Sequence, residues 1–307
     1  MTTVDLSTPP PAPQSLLDGL PRRVALTLPE LRLVAERAGN APLPFDVTEP
    51  RPGALEDRMG QSRGSAEDAA YLAALGSLHE PLDSLTRRGL IVDDVLDSGL
   101  AGAVGLLATP SVALDLDVRV GDVQAKAWHR ESAGAVATLA TVDGLVFELA
   151  WFDTPQWPAE LARVAVVPED ATIGESAVPA QLDLPFDLAS AASEAVRTGR
   201  SDLLPVLVAQ HSGRVLDGDG APMRDSDVQS LLVGGYAESR GRMRALVTDV
   251  ASGAATVVGV VSWVLLADGW RALRPHHAAD EPRVEIRRVE PADLATELAP
   301  VLAEVAR

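Results

Sequence analysis

The 307-residue chain contains no cysteine, which excludes disulfides, thiolate metal sites and cysteine nucleophiles and suits a reducing compartment; a cytoplasmic location is the expectation. Lysine occurs once, at Lys126. With aromatic residues at 4%, Ala, Val and Leu must fill most of the interior, and each tryptophan becomes individually informative. Long apolar runs are missing as well: the longest, Ala254 to Ala267, falls short of the roughly 18 residues of a spanning helix. The N-terminus, MTTVDLSTPPPAPQSLLDGLP, has no basic leader and no apolar stretch, so it reads as a flexible Pro-rich tail over residues 1–20 and not as a secretory signal. Positive charge is scarce, and a net charge of −18 argues against nucleic acid and anionic membranes as partners.

The catalytic and nucleotide motifs are absent in the same way. No G-x-S-x-G elbow, no glycine-rich loop ending in Lys-Ser/Thr and no G-x-G-x-x-G after a strand occurs. His211-Ser212 places a base beside a hydroxyl, but adjacency alone does not make a catalytic pair, and a solvated loop is the expectation. His276-His277 with Asp280 and Glu281 lacks the i, i+4 spacing of a helical zinc site and reads as an exposed loop. Asp217-Gly218-Asp219-Gly220 begins like a calcium loop, yet its twelfth position is Val228 instead of Glu. No metal, cofactor or catalytic residue is assigned, and the chain is not expected to be an enzyme.

What remains is a soluble chain, 47% hydrophobic and 23% charged, long enough for a large core. Arg22 to Leu28 predicts a strand and Pro29 to Ala38 a helix stopped by Gly39. Ser65 is expected to cap a long helix running through Leu85, and a further helix is expected from about Asp93 to Ala108. After Pro110 the period changes to two. SVALDLDVRV, VQAKAWHRES, AVATLATV and LVFELAWFD, separated by Gly-containing turns, predict a four-strand antiparallel meander followed by a short helix at Pro155 to Val164.

The second half repeats this plan. It offers a strand at Gln181 to Leu184, a helix at Phe186 to Thr198, an apolar segment at Ser201 to Gln210, four more strands and an amphipathic helix from Pro291. Within it, VVSWVLLADGWRALRP predicts a hairpin hinged on Asp268-Gly269, with Trp263 in the core. LPFDV at Leu43 to Val47 and LPFDL at Leu184 to Leu188 echo each other. The fold class is therefore α+β: two quasi-repeated halves, about 21–168 and 176–307, in a single domain with a central antiparallel sheet flanked by helices.

The order and spacing of four segments resemble the EspG family of ESX (type VII) secretion-associated proteins. They are VALTLPELRLVAERAG near the start, LTRRGLIV at Leu85 to Val92, LLATPSVALDLDVRV at Leu106 to Val120, and the run from SRGRMRALVTDV through VVSWVLLADGWRALRP to PADLATELAPVLAEV. The resemblance implies a cytosolic chaperone or adaptor that binds a helical secretion substrate, such as a PE–PPE heterodimer, and keeps it soluble for export. It also implies a C-terminal helical bundle. The Pro-rich tail and the acidic, glycine-rich stretch Leu216 to Asp227 depart from the family pattern.

A binding protein needs surface features. Period-two alternation sets Lys126, Trp128 and Arg130 on one side of a strand, either as an exposed recognition face or as a tryptophan covering the core edge between snorkelling cations. Arg240, Arg242 and Arg244 form a second basic stripe, suited to steering an acidic partner or to balancing nearby carboxylates. The alternative from a different class is an α+β small-molecule-binding protein or an enzyme of unknown reaction.

Overall fold

A computed structural model describes residues 20–45, 71, 73–167 and 174–305. The tail before residue 20 and the expected cap at Ser65 lie outside the described residues. Strand β1 (Arg22–Thr27) runs directly into helix α1 (Leu28–Arg37). Thr27 and Glu30 cap each other's backbone N–H groups, and Pro29 occupies the first turn, where a missing N–H costs nothing.

The long helix expected through Leu85 is interrupted. Helical residues 73–76 give way to a bend, and Pro81 opens a separate helix, α2 (Pro81–Arg87), because proline fits a first turn and disrupts a helix interior. The helix expected from Asp93 also starts later. Asp93 and Asp94, at φ 49° and 65°, turn a small hairpin between β2 (Ile91–Val92) and β3 (Val95–Leu96), and Asp97 then caps α3 (Ser98–Ala108) through the Leu100 N–H at 2.8 Å.

The meander forms as expected: β4 (Val112–Val120), β5 (Val123–Ser132), β6 (Ala135–Thr141) and β7 (Val146–Asp153), then α4 (Trp157–Val164). The second half follows with β8 (Gln181–Pro185), α5 (Phe186–Arg197), α6 (Leu204–Gln210), β9 (Leu216–Asp217) and α7 (Asp225–Glu238). It closes with β10 (Gly241–Asp249), β11 (Thr256–Leu266), β12 (Gly269–Ala278), β13 (Glu281–Val289) and α8 (Leu294–Val305). The acidic stretch Leu216 to Asp227 is thus a tight turn, held by Asp217 Oδ1 accepting the Asp219 and Ala221 N–H groups, that leads into α7.

The VVSWVLLADGWRALRP hairpin turns one residue earlier than expected. Leu266 pairs with Gly269, so Ala267 and Asp268 are central, and only Gly269 takes positive φ (129°). The Asp268 carboxylate is consequently free to accept from Arg271 (2.9 Å) and Arg288 (3.3 Å).

Among the described residues the sheet has eleven strands in the order β1-β7-β6-β5-β4-β10-β11-β12-β13-β8-β9, antiparallel throughout. Read outward from β4 and β10, the two halves follow one plan, related by a pseudo-two-fold axis through the β4–β10 ladder, where Leu116 lies opposite Ala245. Since β1 runs into α1 at Thr27-Leu28 and β8 into α5 at Pro185-Phe186, the repeat sets LTLPEL at residues 26–31 against LPFDLA at 184–189. Leu43 to Phe45 lie in a loop after α1, so the LPFDV echo is not structural.

On one face, α4 and α8 cover the centre of the sheet: Trp157, Leu161, Leu294 and Leu298 join Leu116, Ala245, Trp263 and Trp270 in the largest core cluster. Trp263 and Trp270 sit with ring centroids 6.1 Å apart, and the Trp270 indole donates to the Ala165 carbonyl at 2.8 Å. On the opposite face the helices stand at the flanks, with α1, α2 and α3 over the first half and the α5–α6–α7 bundle over the second. Three clusters result, one in the first half and two in the second, and the central strands between the halves carry polar side chains.

Candidate partner-binding face

On that second face β4 and β10 present Asp115, Asp117 and Arg119 beside Arg242 and Arg244, because alternation sends their apolar residues to the covered face. Arg119, Lys126, Arg242 and Arg244 are exposed. Register sets Arg242 directly opposite Arg119, and Arg244 opposite Asp117, which in turn lies opposite Lys126. Gln124 ties part of this together, accepting from Arg119 at 3.3 Å and donating to Asp117 at 2.8 Å. Among the described residues Lys126, Arg242 and Arg244 make no ion pair or side-chain hydrogen bond.

Beside this strip an apolar groove of about 300 Å³ opens between α5, α7 and the sheet, lined among others by Ala189, Ala192, Leu231, Tyr236, Val264 and Ile286. The pseudo-two-fold explains why it is open. Counting on from the equivalent strand ends, Ala189 and Ala192 correspond to Leu31 and Val34 of α1, both fully buried in the first half. Two small residues thus leave empty on one side what two aliphatic side chains fill on the other. The groove and the strip are continuous, since Val264 is the neighbour of Arg242 across the β10–β11 ladder. Tyr236, 47% exposed, stands at the groove's mouth.

The residues singled out from the sequence divide accordingly. Lys126, Arg242 and Arg244 belong to the strip, and Arg240, also exposed, immediately precedes it. Arg130 does not: it is buried, bonded to Asp115 at 2.6 Å and to the His129 carbonyl at 3.0 Å, so it serves the sheet and cannot flank an exposed anchor. Trp128 is half-buried in the first-half cluster with Phe45 at 5.1 Å, and Phe45 also stacks on Phe147 at 5.1 Å. Trp128 thus lies at the edge of the first-half core. Arg119 and the groove were missed, although Ala189 and Ala192 at i, i+3 on an amphipathic helix were the available signal.

His129, His276 and His277 are all tied into the sheet. His129 is buried beneath α4 and accepts the Trp157 indole N–H through Nδ1 at 2.9 Å. Burial, with the positive charges of Arg130 and Arg163, lowers its pKa to about 3, so it is the neutral acceptor at ordinary pH. His276 and His277 lie in β12 and not in a loop, paired with Arg283 and Pro282, and His276 Nε2 stands 3.3 Å from Asp183. Among the described residues no group of three His, Asp or Glu side chains is placed to hold a metal ion, and no helix is long and apolar enough to cross a membrane.

No family model matches the sequence, and no curated protein matches it. Among solved structures, the chain superposes on the type VII secretion system chaperone EspG5 of Mycobacterium tuberculosis, determined in complex with a PE25–PPE41 dimer. The TM-score is 0.60 at 11% sequence identity, with 92% of this chain and 96% of that chain covered. The fold is EspG-like. At this identity the likeness concerns architecture, the large antiparallel sheet with its flanking helices.

Proposed function

We propose that this chain is a chaperone-like adaptor of a type VII secretion system that holds a helical secretion substrate, of the PE–PPE kind, on the open face of its sheet. It acts without catalysis, keeping the substrate soluble in the cytoplasm before export. The observation that carries this reading is the apolar groove between α5 and α7, lined by Ala189 and Ala192 and adjoining the cationic strip through the Val264–Arg242 pair, on an EspG-like scaffold. A groove of this kind accepts the apolar stripe of an amphipathic helix, while rim charges fix its register. Covering that stripe is what protects such a partner from aggregation.

The test is co-expression with a PE–PPE pair, followed by size-exclusion chromatography with light scattering. A complex of one adaptor with one heterodimer is expected, whose affinity falls when the groove is filled. Failure to associate, with a tightly bound small molecule identified by native mass spectrometry, would favour the small-molecule-binding alternative.

A further inference from the structure

We infer that the segment seated on the open face is acidic, so that the cationic strip selects its partner by carboxylates; this rests on the docking reading above. Arg119 and Arg242 lie directly opposite each other in the β4–β10 ladder, an arrangement of like charges that destabilises a sheet. The fold does not require it. At the symmetry-related position of the same ladder, Ala113 faces Thr248.

The chain as a whole carries a charge of −18, yet this strip gathers Arg119, Arg242, Arg244 and Lys126 around Asp117. The other nearby carboxylate, Asp115, is already bonded to Arg130. Arg242 and Arg244 find no ionic partner among the described residues although acids abound elsewhere. Because Arg242 adjoins the groove through Val264, a helix lying in the groove brings its flank over the arginines, and carboxylates there relieve their mutual repulsion. Nucleic acid would also offer anions, but the surrounding negative charge opposes a long polyanion while admitting a few local carboxylates.

The experiment uses two labelled amphipathic peptides of about 20 residues with the same leucine stripe, flanked by Glu in one and Lys in the other, read by fluorescence anisotropy. The Glu peptide should bind at least about tenfold more tightly at low salt, and the preference should shrink in about 0.5 M salt. In the Arg242→Gln/Arg244→Gln variant it should fall by about five- to tenfold. The same variant should melt no lower than wild type, and about 1–3 °C higher if relief of repulsion dominates, whereas a merely structural role lowers the midpoint.

Equal affinity for both peptides, a lowered midpoint, or tighter binding of a single-stranded oligothymidylate would overturn the inference. The Ala189→Leu/Ala192→Val variant separates the two levels. If it loses both peptides while wild type shows no Glu preference, the groove stands and acid selection fails. If it binds both as wild type does, the docking reading falls, and this inference with it.

Discussion

Grafting the first half's packing onto the second gives a quantitative test of the groove. Ala189→Leu and Ala192→Val recreate the Leu31 and Val34 pattern of α1, adding five carbon atoms facing a cavity of about 300 Å³. At about 0.8 kcal/mol per buried methylene the upper limit is about 4 kcal/mol. Valine's lower helix propensity removes about 0.5 kcal/mol, and the open mouth leaves part of the new surface wet. A net gain of about 2 kcal/mol follows, or about 4 °C in melting midpoint for a chain of this size. Binding should move the other way, because the partner's side chains now meet filled space: an affinity loss of about thirtyfold or more is expected by titration calorimetry with the co-expressed heterodimer. Thermal melts supply the stability arm. A variant that is more stable yet binds with unchanged affinity would refute the groove as the seat. A loss of stability beyond about 1 kcal/mol would refute the pseudo-symmetric packing argument itself.

Other expectations concern the scaffold. A Cβ at Gly241 would stand 2.3 Å from the Arg119 carbonyl oxygen across the central ladder, so Gly241→Ala should cost about 2–3 kcal/mol in urea unfolding; a neutral result would remove the close approach of β4 and β10. His129, with its folded pKa lowered to about 3 from 6.5, binds a proton less readily folded than unfolded. Stability is therefore retained above pH 6.5 and lost as pH falls towards 3, about 2 kcal/mol of it between pH 7 and 5, and His129→Gln should flatten that slope in pH-dependent melts. Trp128→Ala should lower stability by about 2–3 kcal/mol through loss of the Phe45 contact while leaving the affinity of the remaining folded protein unchanged. An affinity loss without destabilisation would return Trp128 to the binding face.

Much of this architecture was legible because its signals are local. The alternation of Val112, Leu114, Leu116, Val118 and Val120 against Asp115, Asp117 and Arg119 predicts both the strand and its two faces. Breaks were less legible. Pro81 reads as tolerable within a leucine-periodic run until tertiary structure turns the chain there, and α7 was hidden because Gly234-Gly235 and an indistinct apolar face weaken the helical pattern. The candidate site was legible only in part. Arg242 and Arg244 could be put on one strand face, but what stands opposite them depends on register with β4 and β11, which no local pattern carries. Arg130 shows the converse: the same alternation that suggested exposure places it beside Asp115, where ion pairing and carbonyl contacts bury it. The groove is a difference between two halves, visible once Leu31 and Val34 are set against Ala189 and Ala192.

Amide hydrogen exchange on the chain alone and in complex with a co-expressed PE–PPE heterodimer tests the central claim most directly, since it reports which backbone segments a partner covers. Slowed exchange is expected in α5, α7 and the β10 segment carrying Arg242 and Arg244, with α4 and α8 on the opposite face unchanged. Protection confined to α4 and α8, or a complex that forms without altering α5 and α7, would contradict it.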